Sequence, residues 1–439
     1  MEFALTEIGK TLIAFAVLSV IVIGAGAAIA DRLRFPGFSD ATHPERIGLA
    51  LICGIGGAPV LLDWAARFGP TAMVLCALVL GALGFLVLTR LAPPRSSFSR
   101  GWPAAALLWI VFASLLVVDM PGVGNLQHSL LAIDYVKHSA VTWSLAEAGA
   151  PPWNPAFYEP GEAMSYYYLF YTIPAVATVL ITPFGAAARH AAYACAPLMG
   201  FALFALAETI LRRSGAEEAL NPEKPLRRTN WVILALLFAT GLDFIPLASL
   251  FVVGDGKPDF VFLHFDDWSV QVTSWFNSVM WVPHHVAALC AAFVGFIALT
   301  HSENDMRRTL LAGLAFATMV GESVYVAMPA TLGATFWLAS LLHRRRFHDA
   351  TRLVLAGIVA LIIALPWLVT LLPRLTAGDQ HAPIDIYLRG PEIYDVIAGS
   401  QQAGAVLRGL MMPVMYLLNF GVFALGSYVF WRKAGRRGY

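Results

Sequence analysis

An acid, an amine and an imidazole lie within five positions of one another in this sequence, at Asp134, Lys137 and His138. A carboxylate can take a proton from an attacking hydroxyl group, and an ammonium group can stabilise a developing negative charge. Because 58% of the chain is hydrophobic and only 13% is charged, such a polar segment stands out. Ionisable groups are costly in a membrane, so the segment predicts a functional site. A plain surface ion pair between Asp134 and Lys137 is the alternative interpretation.

A proline-rich turn and a run of tyrosines follow this cluster. The pair Pro151-Pro152 fixes the backbone and blocks a helix, which predicts a rigid loop that holds Glu159 or Glu162 over a site. The run consists of Tyr166, Tyr167 and Tyr168, at the start of an apolar stretch. An aromatic belt at the level of the lipid headgroups is one interpretation of these tyrosines. The other is that they bind substrate, by stacking on a sugar or by contacting a lipid phosphate.

Further candidate binding residues are paired carboxylates and paired histidines, namely Asp266, Asp267, His284 and His285. Carboxylate oxygens suit Mg²⁺ or Mn²⁺, and imidazole nitrogens suit Zn²⁺. No metal motif defined by its spacing is present in the sequence. Substrate contact or structural hydrogen bonding is therefore the favoured role, with a divalent cation as the alternative.

Three more ionisable residues are candidate site residues because of their positions in the predicted helices and loops. Asp243 lies within an apolar stretch, where an ionisable group is a functional candidate by default. Glu322 lies at the tip of a predicted helix hairpin, where a solvated turn is the competing interpretation. Arg389 lies in a loop punctuated by Pro and Gly, and its guanidinium is suited to a lipid phosphate.

The composition predicts an all-α polytopic membrane protein, because a mean hydropathy of +0.69 is too high for a soluble globule. A membrane-spanning helix needs about 20 mostly apolar residues. Twelve windows qualify: near 11–30, 47–62, 70–89, 102–119, 166–182, 191–211, 231–253, 279–300, 309–321, 324–342, 352–372 and 406–430. We therefore expect a bundle of 11 or 12 transmembrane helices. The four cysteines fall inside these windows, which predicts small core residues without disulfides.

The distribution of Lys and Arg predicts the topology. Most of them fall in six clusters, around residues 32–46, 90–100, 212–228, 307–308, 344–352 and 432–437. The positive-inside rule places these clusters in the cytoplasm, and with them the C-terminus. If 166–182 and 191–211 both crossed fully, the basic loop 212–230 would face outward. We therefore expect 166–182 to be re-entrant or partly interfacial.

This topology predicts three regions in a multi-pass protein of a bacterial inner membrane. They are N-terminal membrane helices over 1–119, an outward periplasmic loop over 120–165, and the remaining membrane helices over 166–439, with outward loops 254–278 and 373–405. Within the first loop, residues 126–148 have the pattern of an amphipathic interfacial helix that places Gln127, Asp134 and His138 on one arc. Basic patches interleaved with aromatics are missing, which argues against nucleic-acid binding.

Four features follow one another along the sequence. They are an acidic residue just outside an early span, a histidine soon after it, the turn Gly149-Ala-Pro-Pro152 and the run Ser165-Tyr-Tyr-Tyr-Leu. Over about 119–175 this arrangement resembles the GT-C membrane glycosyltransferases, which use polyprenyl-phosphate-linked sugars, and the bacterial multi-span proteins of the YYY kind. The resemblance implies a helical fold with a catalytic cavity on its outer face, which the lipid donor enters sideways. It also implies that the catalytic carboxylate of the family corresponds to Asp134.

The leading hypothesis is an inverting transfer of the sugar to a glycan, lipid or protein acceptor, with Asp134 as the base. Lys137 or Arg389 would stabilise the leaving phosphate, and His138 would orient Asp134 or contact the sugar. A transporter or flippase that uses Asp243, Glu322 and the broken 166–182 segment is the first alternative. A non-catalytic scaffold subunit anchored by its aromatic runs is the second.

Overall fold

The protein is an all-α membrane protein. The structure is a computed structural model that describes residues 2–91, 102–118, 120–121, 126–127, 134–153, 163–164, 166–213, 233–235, 248, 251–252, 254–257, 274–300, 305–376 and 393–414. Within these residues, seven helices are long and apolar enough to cross a membrane. Two shorter apolar helices, Ala104–Val117 and Leu169–Phe184, accompany them. The fold class predicted from composition is therefore confirmed.

The labelled helices are α1 (Glu2–Arg32), α2 (His43–Ala66), α3 (Pro70–Arg90), α4 (Trp102–Val117), α5 (Tyr135–Ala148), α6 (Thr172–Ile181), α7 (Ala188–Arg213), α8 (Trp275–Trp281), α9 (Pro283–Thr300), α10 (Met306–Glu322), α11 (Val324–His343), α12 (Phe347–Thr376) and α13 (Ile393–Ala398). Residues 401–414 are also helical, and 3-10 turns at Leu169–Tyr171 and Thr182–Phe184 flank α6. Two strands, β1 (Met120–Pro121) and β2 (Leu126–Gln127), pair antiparallel.

Nearly all predicted spans coincide with helices wherever the chain is described. Most of window 231–253 and most of window 406–430 lie outside the described residues, so the total of 11 or 12 spans stays a prediction. The chain forms two compact units, one made of 1–229 with 279–380 and the other of 230–278 with 381–439. The predicted division at 119 and 165 likewise stays a prediction.

Arginines gather at one end of the first unit, which we call the arginine end. Arg46, at the start of α2, donates to the carbonyl oxygen of Leu91 after α3 over 3.2 Å. Arg34, after α1, pairs with Asp305 before α10 over 3.2 Å. Arg212, near the end of α7, pairs with Glu45 of α2. The described members of these clusters therefore share one side, as the charge pattern predicts.

The segment between Tyr168 and Ala188 begins and ends at the opposite end, which we call the tyrosine end. Tyr168 is hydrogen-bonded to Asp63 near the C-terminus of α2. Arg189, at the start of α7, donates to Glu7 near the N-terminus of α1 over 2.9 Å. The ten residues of α6 span only about 15 Å, half of the apolar thickness of a bilayer. The expectation that this segment does not cross simply therefore agrees with the geometry.

Glycines allow α1 to pack closely against α2 and α3. A Cβ atom on Gly84 of α3 would overlap the carbonyl oxygen of Gly24 in α1. A Cβ atom on Gly26 of α1 would overlap the carbonyl oxygen of Ala50 in α2, and one on Gly54 would overlap that of Val22. Small residues are common where membrane helices meet, because they let the backbones approach. These three helices thus form a tightly packed unit that supports both ends.

The predicted helix over 126–148 is shorter than expected. It begins at Tyr135, with Asp134 at its N-cap, and ends at Ala148. Gln127 lies in β2 and pairs with Met120 of β1, so the prediction that Gln127 shares a helical arc with Asp134 is wrong. The intervening sequence Pro121-Gly-Val-Gly124 favours a turn, and the hairpin that it joins competes with the helix.

Candidate functional site

The tyrosine end brings together aromatic and imidazole side chains from distant parts of the sequence. We call this group the aromatic cluster. Its members are Tyr135, His138, Tyr166, Tyr167, Tyr171, His284 and His285. The members come from α5, from residues 166–171, which we call the tyrosine segment, and from the start of α9. The cluster therefore joins His284 and His285 to the 134–171 stretch, which sequence reasoning treated as separate sites.

Asp134 and Lys137 lie at the rim of the aromatic cluster. The Lys137 Nζ atom is 3.2 Å from Asp134 Oδ2, and their side chains are 39% and 30% exposed. The same Nζ atom lies 5.8 Å from the centre of the Tyr166 ring, which is cation–π distance. The ion pair is therefore present, and it lies against the aromatic cluster with both charges accessible to a ligand.

His138 lies deeper than Asp134 and is only 2% exposed. Burial lowers the pKa of its imidazole to about 4, although the hydrogen bond to the carbonyl of Trp281 acts in the opposite direction. The ring is therefore neutral at neutral pH. Its Nε2 atom lies 3.2 Å from the Trp281 carbonyl oxygen, and Nδ1 lies 2.7 Å from the Tyr171 hydroxyl oxygen.

These two contacts determine the tautomer of His138. A carbonyl oxygen only accepts hydrogen bonds, so Nε2 carries the proton and Nδ1 accepts from the Tyr171 hydroxyl. Both ring nitrogens are thereby engaged by protein atoms. His138 thus holds α5 against the tyrosine segment and the end of α8, and direct hydrogen bonding to Asp134 plays no part in this arrangement.

The three consecutive tyrosines occupy three different environments. The Tyr166 and Tyr167 rings stack with their centres 4.0 Å apart, and Tyr167 stacks in turn on His284 at 5.5 Å. Burial raises the pKa of both of these phenols, which keeps them protonated. Tyr168 is fully buried. An aromatic belt at the lipid surface therefore does not describe Tyr168.

Tyr168 belongs to a buried network that sequence reasoning missed. Its hydroxyl donates to Asp63 Oδ1 over 3.0 Å, and Arg67 donates to Asp63 Oδ2 over 3.2 Å. The signal was available, because Asp63 and Arg67 lie four positions apart at the end of an apolar window and so share a helix face. This network attaches the tyrosine segment to α2.

His284 is a buried member of the cluster with unused hydrogen-bonding capacity. It is buried among the rings of His138, Tyr167 and Tyr171, and neither of its ring nitrogens has a hydrogen-bond partner. His285 is partly exposed and has an unpartnered Nδ1 atom. Two imidazoles of the cluster thus keep buried ring nitrogens that have no hydrogen-bond partner.

Glu322 lies at the C-terminal end of α10 and is completely buried, with both carboxylate oxygens free of hydrogen bonds. The remaining predicted site residues, Glu162, Asp243, Asp266, Asp267 and Arg389, lie outside the described residues. Of the side chains that are described, no three from His, Cys, Asp and Glu are arranged to hold a metal ion. The divalent cation considered for Asp266 and Asp267 stays a prediction.

Comparisons of the chain with protein-family models, with curated proteins and with solved structures find no match. The chemistry that the site could carry out therefore has to be judged from its own geometry. That geometry combines a carboxylate and an ammonium group at a rim with a wall of stacked aromatic rings. Such a wall suits the apolar faces of a sugar, and the ammonium group suits a phosphate.

Proposed function

We propose that this protein is a membrane glycosyltransferase of the GT-C type, which moves a sugar from a polyprenyl-phosphate carrier to an acceptor at the tyrosine end. The observation that carries the proposal is the position of Lys137 between the Asp134 carboxylate and the Tyr166 ring. A base for the acceptor, a cation for the leaving phosphate and an aromatic surface for the sugar then lie side by side. The tyrosine end would face outward, opposite the arginine end.

Asp134 acts as the general base in the proposed reaction. As the acceptor oxygen forms its bond to the anomeric carbon, the carboxylate takes the hydroxyl proton. The bond between the anomeric carbon and the phosphate oxygen breaks on the opposite face, and polyprenyl phosphate leaves with the electron pair. The sugar is thereby transferred with inversion, and no oxidant or further reactant is needed.

Lys137 and the aromatic cluster assist the same step. The ammonium group stabilises the charge that develops on the leaving phosphate, and its effect is strengthened by the apolar surroundings. The rim of the aromatic cluster, where Tyr166 lies beside Lys137, offers the aromatic surface for the sugar. His138 acts as a positioning residue through Tyr171 and Trp281.

The test is transfer activity of the full chain in proteoliposomes, with a panel of radiolabelled polyprenyl-phosphate sugars and a membrane extract as the source of acceptor. We expect Asp134→Asn to lower the transfer rate at least about 100-fold, which is the usual contribution of a general base. Glu147→Gln is the matched control, because Glu147 is an exposed carboxylate on the same helix. Its activity should equal that of the wild type.

Other results would redirect the proposal. Activity of Asp134→Asn close to wild type removes Asp134 from the base role. Movement of the labelled lipid between leaflets without a glycosylated product indicates the flippase alternative. If no donor yields a product or moves between the leaflets, the scaffold alternative remains. In that case, altering Tyr166 and Tyr167 should abolish complex formation.

A further inference from the structure

Glu322 ends one helix and adjoins the next. It is the last residue of α10, and Ser323 follows with extended backbone angles, φ −163° and ψ 115°. The Ser323 side chain accepts a hydrogen bond from the Val326 amide over 3.2 Å and so caps α11. The capping site of α11 is thus filled by Ser323, and the Glu322 carboxylate takes no part in it.

The Glu322 side chain is enclosed on several sides. Its exposure is 0%, and both oxygens lack a hydrogen-bond partner. A Cβ atom on the preceding Gly321 would overlap the Leu169 side chain, which shows how closely the tyrosine segment approaches this point. On the side of α9, the Glu322 carboxylate is near enough to act electrostatically on Cys290. These neighbours are largely apolar.

Among the side chains that the structure describes, the charged groups of the surrounding helices do not compensate Glu322. On α2, Asp63 and Arg67 pair with each other. On α12, Asp349 and Arg352 lie near the N-terminus of the helix, which follows the Arg344–Arg346 turn at the arginine end. The other titratable groups of α9 on this side are His284 and His285, and that of α11 is Tyr325, which is 68% exposed.

An ionised carboxylate without a partner is very costly in such surroundings, whereas a neutral carboxylic acid is tolerated. A hard metal cation would require about six oxygen ligands, and among the described residues no three from His, Cys, Asp and Glu are arranged to hold a metal ion. A proton needs no further ligand. We propose that Glu322 is a proton-binding site inside the membrane bundle, at the junction of α10 and α11.

This site is separate from the proposed transfer reaction, which needs neither Glu322 nor its proton. The sequence led us to expect that Glu322 binds substrate, whereas this proposal gives it a proton to bind. The protein would thus carry one exchangeable proton in its interior whatever its catalytic activity.

The first test uses dicyclohexylcarbodiimide, an apolar reagent that reacts with protonated carboxyl groups in membranes. The purified full chain in detergent is treated at neutral pH, and the modified peptides are identified by mass spectrometry. We expect an adduct on Glu322, and none on that peptide in Glu322→Gln. Asp63 is the matched control, because it is equally buried but paired with Arg67 and Tyr168, and it should remain unmodified.

The second test does not depend on access of a reagent. The infrared difference spectrum between the wild type and Glu322→Gln should contain the carbonyl band of a protonated carboxylic acid, and this band should shift in deuterated water. A carboxylate band in its place would overturn the proposal. Protection of Glu322 from the carbodiimide by sodium ions would also overturn it, in favour of a metal cation. Glu322→Gln should unfold within a few degrees of the wild type, since the amide is a neutral isostere.

Discussion

The Tyr168 hydroxyl group donates a hydrogen bond to Asp63 across 105 positions of sequence, with 3.0 Å between the two oxygens. Arg67 holds the other oxygen of the same carboxylate and also donates to the Tyr168 hydroxyl oxygen over 3.2 Å. The carboxylate is thereby satisfied inside the bundle. This contact fixes the position of the tyrosine segment along the axis of α2. It therefore determines where the rings of Tyr166 and Tyr167 lie.

Removing this hydroxyl should weaken the fold. In Tyr168→Phe, Asp63 Oδ1 loses its donor in a buried place, which costs about 1–3 kcal/mol in the free energy of unfolding. The thermal unfolding midpoint in detergent should fall accordingly. Tyr325→Phe is the control, because Tyr325 is largely exposed, and it should unfold with the wild type. Equal midpoints for all three proteins would show that the contact contributes no stability.

The close approach of α1 and α3 gives a second prediction. Gly84→Ala should prevent the helices from packing as they do, since the added methyl group meets the Gly24 carbonyl oxygen. Gly81→Ala, one turn earlier on the same helix, meets no atom within 4 Å and should be tolerated. Yield of monodisperse protein and the unfolding midpoint are the measurements. The prediction fails if the two variants behave alike.

The burial of His138 predicts a dependence of stability on pH. Its folded pKa of about 4 lies below the unfolded value of 6.5, so between these values the unfolded chain binds the extra proton. The stabilisation due to the neutral ring is therefore complete above pH 6.5 and is lost as the pH falls toward 4. Each unit of pKa difference corresponds to about 1.4 kcal/mol.

The measurement compares the wild type with His138→Gln from neutral to acid pH. The amide can still donate to the Trp281 carbonyl and accept from Tyr171, but it does not titrate. Other groups titrate in the same range, so the informative quantity is the difference between the two unfolding curves. That difference should shrink as the pH falls, and a constant difference would contradict the assignment.

Arg46 gives a prediction at the arginine end. Its guanidinium is almost fully buried and donates to the carbonyl oxygens of Phe38, Ser39, Ala41 and Leu91. Each such bond from a charged donor contributes about 1.5–3 kcal/mol, so Arg46→Met should destabilise the protein by at least about 3 kcal/mol. Arg90→Met is the control at the same end, because Arg90 is exposed. A folded Arg46→Met protein with a normal midpoint would refute this account.

The sequence predicted best those features that depend on a single physical requirement. The apolar windows predicted the helices because a bilayer imposes a length, and the arginines predicted a common end because translocation disfavours them. The cluster around Asp134 was also found, because polar residues are rare in this chain. Sequence reasoning was weaker before α5, where the pairing of β1 with β2 replaces part of the helix that the periodicity predicts.

The contacts inside the site could not be predicted in the same way. His138 bonds to Tyr171 and to Trp281, which lie 33 and 143 positions away. Those pairings depend on how α5 packs against the 3-10 turn Leu169–Tyr171 and against Trp281, and no local pattern encodes that packing. The partner of Tyr168 could not be predicted either. Its neighbours in the sequence indicate an aromatic residue that faces lipid, whereas its hydroxyl group bonds to a carboxylate on α2.

The hydrogen bonds of Arg46 also have a consequence for how the chain is made. Phe38, Ser39 and Ala41 precede Arg46, so three of its acceptors have already been synthesised when the arginine leaves the ribosome. Leu91 follows 45 positions later, after the whole of α3. The order of the chain therefore makes three of the four acceptors available to Arg46 before α3 is made, and the fourth only once the helical hairpin of α2 and α3 is complete.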